Sequence, residues 1–166
     1  MKICIVKLGA KGDVIRTLSI LPALKQKFPE SKITWITKDN SKELFIGNPY
    51  VDEILNSDEI PTGNFDLLYC LDLDKESSDI ATKIPASEKK GFYVENRYPM
   101  AHNPGAEYYI NTFFDDELKK KNKKTVQEMM FMACELDYNN ELCPIFLTEK
   151  EKDYGINFLK EHGIKN

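Results

Sequence analysis

The chain has 166 residues, the size of one domain, and 42% of them are hydrophobic, which is enough to bury a sizeable core. Its formal net charge of −4 excludes a general nucleic-acid binder, whose footprint would be a basic excess. No apolar run approaches the ~20 residues of a membrane span. The opening MKICIVKLGA has too short an apolar stretch for a signal peptide.

The first half of the chain alternates strand and helix signals. Short apolar runs predict strands at residues 2–8, 32–37, 51–56, 65–71 and 89–94. Apolar residues at helical spacing predict helices at 13–28, 40–47 and 74–84. Pro22 is expected to kink or restart the first of these helices. The alternation predicts right-handed βαβ units, and therefore an α/β fold with a Rossmann-like, doubly wound parallel sheet.

The pattern changes after residue 94. Residues 95–106, ENRYPMAHNPGA, are predicted to form a long loop that contains Arg97 and His102. Loops of this length often carry function, so we expect this one to contact a ligand. A surface loop without a binding role explains the pattern nearly as well. Further helices are predicted at 107–117, 123–137 and 149–162.

The four cysteines and two histidines indicate no metal site. No pair of cysteines has C-x-x-C spacing, and His102 and His162 stand far apart. Cys4 and Cys70 lie within apolar runs, where reduced thiols in the core are expected. We therefore predict a reduced, cytoplasmic protein without a bound metal.

The loop GAKGD, residues 9–13, follows the first predicted strand. Ligands of parallel α/β sheets bind at the carboxyl ends of the strands, which is where this loop is expected to lie. Gly9 and Gly12 permit positive φ angles and close backbone approach. The loop matches neither G-x-G-x-x-G nor the Walker pattern, which disfavours a dinucleotide or P-loop site.

Asp13 has two compatible interpretations. As a helix N-cap, its carboxylate would accept hydrogen bonds from first-turn N–H groups and be stabilised by the helix dipole. As a general base, it would take a proton from a substrate hydroxyl. Lys7, Lys11 and Arg16 surround it, and they either bind anionic groups of a ligand or are ordinary surface charges. Asp72 directly follows the fourth predicted strand at the same edge. An aspartate in this position more commonly stabilises a turn than binds a ligand.

The stretch VKLGAKGDVIRTLSILPALKQKFPESKITWIT, residues 6–37, resembles the opening of glycosyltransferase family 9, the ADP-heptose:lipopolysaccharide heptosyltransferases. The likeness continues through NPYVDEIL, FDLLYCLDLD and KKGFYVE. It extends to TVQEMMFMACELDY and PIFLTEKEKDYGINFLKEHGI, and so covers nearly the whole chain.

The resemblance implies a GT-B architecture, in which two Rossmann-like domains face each other across a cleft. Residues 1–166 would form the N-terminal, acceptor-binding domain, and the C-terminal donor-binding domain would be absent from this chain. The implied activity is an inverting, metal-independent transfer of a sugar from a nucleotide-sugar to a lipopolysaccharide-core or related saccharide. Asp13 is the implied general base. The candidate acceptor-binding residues are Lys7, Gly9, Lys11, Gly12, Arg16, Asp72, Arg97 and His102.

The implied partners are a saccharide or glycolipid acceptor, the nucleotide-sugar donor and the C-terminal domain, with no cofactor besides the donor. Location is expected in the cytoplasm, with at most peripheral contact with the inner face of the membrane. The chain alone is expected to be inactive. Two alternatives stay open: a non-catalytic Rossmann-like binding or interaction domain, and a nucleotide-dependent oxidoreductase domain.

Overall fold

The computed structural model describes residues 1–164, which are built around one six-stranded sheet. The strands are β1 (Lys2–Val6), β2 (Lys32–Thr37), β3 (Glu53–Asn56), β4 (Phe65–Cys70), β5 (Ala86–Glu95) and β6 (Tyr98–Ala101). Their spatial order is β3-β2-β1-β4-β5-β6. Strands β1 to β5 are parallel, and β6 runs antiparallel to β5. The predicted α/β class with a Rossmann-like parallel sheet is confirmed.

Helices cover both faces of this sheet. They are α1 (Lys11–Leu18), α2 (Ile20–Lys27), α3 (Lys75–Lys83), α4 (Pro104–Phe114), α5 (Asp116–Lys121), α6 (Val126–Ala133) and α7 (Glu149–Glu161), with a 3-10 helix at Asp39–Phe45. One face of β1 packs its isoleucines against α1, α2 and α6, and the other face packs Cys4 and Val6 near α3. Because β1 is buried on both faces, its sequence is a continuous apolar run without polar alternation.

The predicted core thiols are confirmed. Cys4 and Cys70 are fully buried on the same face of the sheet. Burial raises the pKa of both thiols to about 12, so neither is a reactive thiolate at neutral pH.

The predicted helix over 13–28 is two helices that meet at Ser19. The Ser19 hydroxyl donates to the carbonyl of Arg16 at 2.7 Å, so this carbonyl in the last turn of α1 has a hydrogen-bond donor. Pro22 is the third residue of α2, where a missing N–H removes no intrahelical hydrogen bond. The expected restart of the helix is confirmed, and it lies at Ile20, two residues before Pro22.

The predicted long loop over 95–106 is wrong. The chain reverses in two residues, Asn96 and Arg97, whose φ angles are 50° and 71°, and it returns as β6. Two consecutive residues with positive φ match the twist of a tight hairpin, and asparagine tolerates this conformation well. Pro99 is compatible with β6 because that strand lies at the edge of the sheet.

The predicted helix over 107–117 is also divided. Helix α4 begins at Pro104 and ends at Phe114. The Asp115 carboxylate then caps α5, accepting from the N–H groups of Glu117 and Leu118 at 2.9 and 3.0 Å.

A close crossing of α4 and α6 fixes the position of α4. Gly105 lies so near the end of α6 that a Cβ at this position would be 1.9 Å from the carbonyl oxygen of Met132. Asn103 joins the same elements, because its side chain accepts from the N–H of Gly91 at 2.9 Å and donates to Met132 O at 3.5 Å. Helix α4 is thereby held against the end of β5.

We expect Gly105→Ala to lower the free energy of unfolding by about 2–3 kcal/mol, since the added methyl overlaps a backbone oxygen that cannot move freely. Gly155→Ala in α7 is the matched control, because a Cβ there meets no atom within 4 Å and alanine favours a helix. Urea unfolding measures both variants. Equal effects of the two substitutions would contradict the close crossing.

Candidate functional site

A cleft of about 370 Å³ opens at the carboxyl edge of the sheet, between the ends of β1 and β4 and the helices α1, α4 and α6. Four of the predicted site residues line it: Lys7, Asp13, Arg16 and Asp72. The rest of its wall consists of Thr17, Leu71, Leu73, Phe92, Tyr109, Phe113, Val126, Gln127 and Met130. The cleft therefore lies where parallel α/β sheets bind ligands.

Asp13 is not the N-cap of α1, contrary to one of the two interpretations. The helix begins at Lys11, and the N-cap is Ala10, which makes no side-chain hydrogen bond. Asp13 is the third helical residue, its N–H donates to Ala10 O at 2.8 Å, and its carboxylate pairs with the Arg16 guanidinium. The carboxylate is 43% exposed, which leaves it accessible from the cleft.

Lys7 and Asp72 form a buried ion pair at the base of the cleft. The Lys7 ammonium lies 2.5 Å from Asp72 Oδ1 and donates to Leu71 O at 2.9 Å. Lys7 is 6% exposed and Asp72 8%. Since Lys7 follows β1 and Asp72 follows β4, the pair joins the ends of the two central strands.

The second oxygen of Asp72 holds the glycine loop. It accepts from the N–H of Leu8 at 2.5 Å and of Gly9 at 3.2 Å, and from the Ser77 hydroxyl at 3.3 Å. These two backbone contacts hold the turn after β1, and the chain enters α1 at Lys11, two residues before Asp13. The carboxylate of Asp72 is therefore already engaged within the protein.

The two loop glycines differ in their surroundings. A Cβ on Gly9 would lie 3.1 Å from Asp72 Oδ1 and 3.3 Å from Asp13 Cβ, so the glycine lets the two acidic residues approach each other. A Cβ on Gly12 would meet no atom within 4 Å. Neither glycine has a positive φ angle, so the expected left-handed conformation is not used.

Lys11, Arg97 and His102 do not line the cleft. Lys11 pairs with Glu43 of the 3-10 helix. Arg97 lies in the β5–β6 turn, and the His102 ring stacks on Tyr93 with centroids 4.6 Å apart. Partial burial, together with the nearby Lys89, lowers the pKa of His102 below its usual value.

Sequence reasoning missed the aromatic wall of the cleft. Tyr109 and Phe113 stand one turn apart on α4, with ring centroids 5.4 Å apart. Burial raises the pKa of Tyr109, and the charge of Asp13 adds to the increase, consistent with their shared lining of the cleft. Their i, i+4 spacing was visible in the sequence, but only the position of α4 turns this face toward Asp13.

Two further features of residues 1–164 bear on the site. No three His, Cys, Asp or Glu side chains in this range come together as a metal ion would need. No helix in the same range combines the length and hydropathy required to cross a bilayer.

No protein-family model matches the sequence, and no curated protein matches it. Solved structures do. The glycosyl transferase family 9 structure from Veillonella parvula DSM 2008 superposes with a TM-score of 0.70 at 20% identity, over 99% of this chain and 50% of its own. The fold is that of glycosyltransferases.

Two Escherichia coli structures show the same relationship. Heptosyltransferase WaaC with ADP-2-deoxy-2-fluoro heptose gives a TM-score of 0.55 at 14% identity, over 86% of this chain and 51% of its own. ADP-heptose lps heptosyltransferase II gives 0.53 at 16% identity, over 96% and 50%. The chain thus spans about half the length of these structures. The match confirms, at the level of fold, the resemblance to family 9 and the predicted Rossmann-like α/β class.

We expect Lys7→Met to lower the free energy of unfolding by about 3–5 kcal/mol, because it leaves the Asp72 charge buried without its cation. Lys11→Met is the control, since the Lys11–Glu43 pair is exposed and such pairs contribute less than about 1 kcal/mol. Chemical denaturation of both variants measures the difference. If Lys7→Met were as mild as Lys11→Met, the pair would not hold the strand ends together.

Proposed function

We propose that this chain is the acceptor-binding half of an inverting glycosyltransferase and that Asp13 is its general base. The observation that carries the proposal is an accessible carboxylate at a cleft on the carboxyl edge of the sheet, in a fold shared with sugar transferases. A base must be within reach of the substrate proton, and Asp13 lines the cleft that the saccharide is proposed to enter.

The proposed reaction is one displacement. The Asp13 carboxylate accepts the proton of an acceptor hydroxyl, and the hydroxyl oxygen forms a bond to the anomeric carbon of the nucleotide-sugar. The bond from that carbon to the phosphate oxygen breaks, and the nucleoside diphosphate leaves with the electron pair. Attack opposite the leaving group inverts the anomeric centre, and the proton remains on Asp13.

The surroundings of Asp13 suit this role. Its place in the first turn of α1 stabilises a negative charge, and the Arg16 guanidinium does the same from the next turn. The Thr17 hydroxyl donates to the Asp13 carbonyl at 2.8 Å, which helps to anchor the backbone beneath the carboxylate. Gly9 leaves room beside it that a larger residue would narrow.

The donor belongs to a second half of the enzyme in this proposal. A leaving diphosphate needs cations or helix N-termini aimed at its developing charge. Within residues 1–164, the cations that line the cleft, Lys7 and Arg16, are already paired with carboxylates. We therefore assign donor binding to a C-terminal GT-B domain, and take the donor to be a nucleotide-sugar such as the one bound to WaaC.

We propose a saccharide or glycolipid of the lipopolysaccharide-core type, or a related saccharide, as the acceptor. The reaction is assigned to the cytoplasm, since all four cysteines are free thiols. Arg97 and His102 are left out of the proposed acceptor site because they lie outside the cleft.

In an enzyme that contains this chain and a donor-binding half, we expect Asp13→Asn to lower turnover by roughly 10²–10⁴-fold, the usual contribution of general base catalysis. The melting temperature should change little, because the substitution breaks one surface ion pair. Asp116→Asn, which alters an exposed first-turn acid of α5 outside the cleft, should leave turnover intact. Normal turnover of Asp13→Asn would remove the base assignment.

The 166-residue chain alone should unfold cooperatively and bind ADP more weakly than 1 mM, which corresponds to less than about 4 kcal/mol. Its core is self-contained, while the cations of its cleft are already paired. Differential scanning and isothermal titration calorimetry measure the two properties. Micromolar binding of ADP to this chain would mean that the cleft is a nucleotide site and that the acceptor assignment is wrong.

A further inference from the structure

The charges that line the cleft cancel in pairs. Its two cations, Lys7 and Arg16, each contact an acidic residue of the same cleft, Asp72 and Asp13. Lys7 also donates to a backbone carbonyl, so two of the three N–H donors of its ammonium are used. A phosphate or carboxylate that enters would meet no unpaired cation among the described lining residues, and it would approach two carboxylates.

Other basic residues lie outside this cleft. The Lys11 ammonium pairs with Glu43. The lysine-rich run 119–124 is exposed, and none of its residues lines the cleft. An anionic group on the reacting sugar would therefore have to compete with Asp13 for the Arg16 guanidinium.

An exposed aromatic surface faces the charged wall instead. Phe113 is 55% exposed and lines the cleft, so its ring is open to a ligand. Tyr109 packs against Phe113 on one side and against Phe92, which is 1% exposed, on the other, with centroids 5.4 and 5.2 Å apart. Phe113 and Tyr109 thus form an aromatic surface that packs against the buried ring of Phe92.

The polar groups near this surface suit hydroxyls. Asp13 offers its second carboxylate oxygen, Oδ2, since Oδ1 contacts Arg16. Gln127 offers a side-chain amide whose nitrogen makes only long contacts, at 3.5 Å to Glu141 O and 3.6 Å to Cys143 Sγ. A pyranose has a face of C–H groups that matches the negative face of an aromatic ring, and an edge of hydroxyls that matches such acceptors and donors.

We propose that the cleft binds the reacting sugar of the acceptor as a neutral pyranose, stacked on Phe113 and Tyr109, and discriminates against a sugar that carries a phosphate or carboxylate. This inference rests on the proposed function, since it takes the cleft beside Asp13 to be the acceptor site. It departs from the expectation that basic residues here meet an anionic acceptor, and it favours a related saccharide over a multiply charged core sugar.

The test measures the binding of matched sugars to the 166-residue chain. Saturation-transfer difference and heteronuclear NMR detect the binding. The panel holds methyl glycosides of glucose, galactose, mannose and a heptose, each beside its uronic acid or 6-phosphate counterpart. At least one neutral glycoside should bind, and its charged counterpart should bind at least about tenfold more weakly, a difference of about 1.4 kcal/mol. Binding of the neutral member should not change between 20 and 200 mM salt, because no ion pair is formed with it.

Two neighbouring phenylalanines give a matched control. Phe113→Ala should weaken binding about tenfold, and Phe113→Tyr should restore it because the ring is kept. Phe114 is 69% exposed but lies outside the cleft, so Phe114→Ala should bind as the unaltered chain does. Preference for the charged counterparts, no effect of Phe113→Ala, or no binding by any neutral glycoside at 20 mM would overturn the proposal.

The failure of this inference can be told from the failure of the proposed function. If charged acceptors are preferred while Asp13→Asn still abolishes turnover, only the neutral-sugar inference is lost. If neutral glycosides bind through Phe113 while Asp13→Asn turns over normally, the cleft is a sugar site without the proposed base.

Discussion

The buried contact between Lys7 and Asp72 joins the two central strands where they end. Removing two charges from water is costly, so such a pair is kept only where it has good geometry and further hydrogen bonds. Here Asp72 also holds the N–H groups of Leu8 and Gly9. The Asp72 carboxylate therefore links the ends of β1 and β4, and it also positions the loop that leads to Asp13 in the cleft.

A second constraint closes the cleft from the opposite side. Gly91 has a φ of +85° and lies so close to Cys70 that a Cβ would be 2.1 Å from its carbonyl oxygen. Its N–H is bound by Asn103, and two residues later Gly105 crosses α6 at close range. These contacts place Tyr109 of α4 opposite α1. Asp13 and the aromatic wall thus come from elements that are far apart in the chain and are fixed by backbone contacts.

The proposed function assigns two tasks of a glycosyl transfer to different places, and the charge balance of this cleft is the reason. The acceptor needs a base and a shaped surface, whereas the leaving diphosphate needs cations. Under the proposed function, Asp13 and the ring of Phe113 would serve the acceptor, and cations outside this cleft would stabilise the leaving diphosphate, since Lys7 and Arg16 are paired with carboxylates. The chain superposes on about half of each of these solved glycosyltransferase structures.

The sequence by itself determined the five parallel strands of the sheet, because strands buried on both faces, such as β1, are continuous apolar runs that can be recognised in the sequence. It also indicated Asp13, since glycines and an acid after the first strand mark the ligand edge. The hairpin at Asn96 was missed because a two-residue turn depends on positive φ angles that composition does not reveal. Only the tertiary structure decided that Asp72 faces inward to Lys7 and that Phe113 faces the cleft. Both depend on contacts between residues distant in sequence, and no local pattern records which distant partner a side chain will meet.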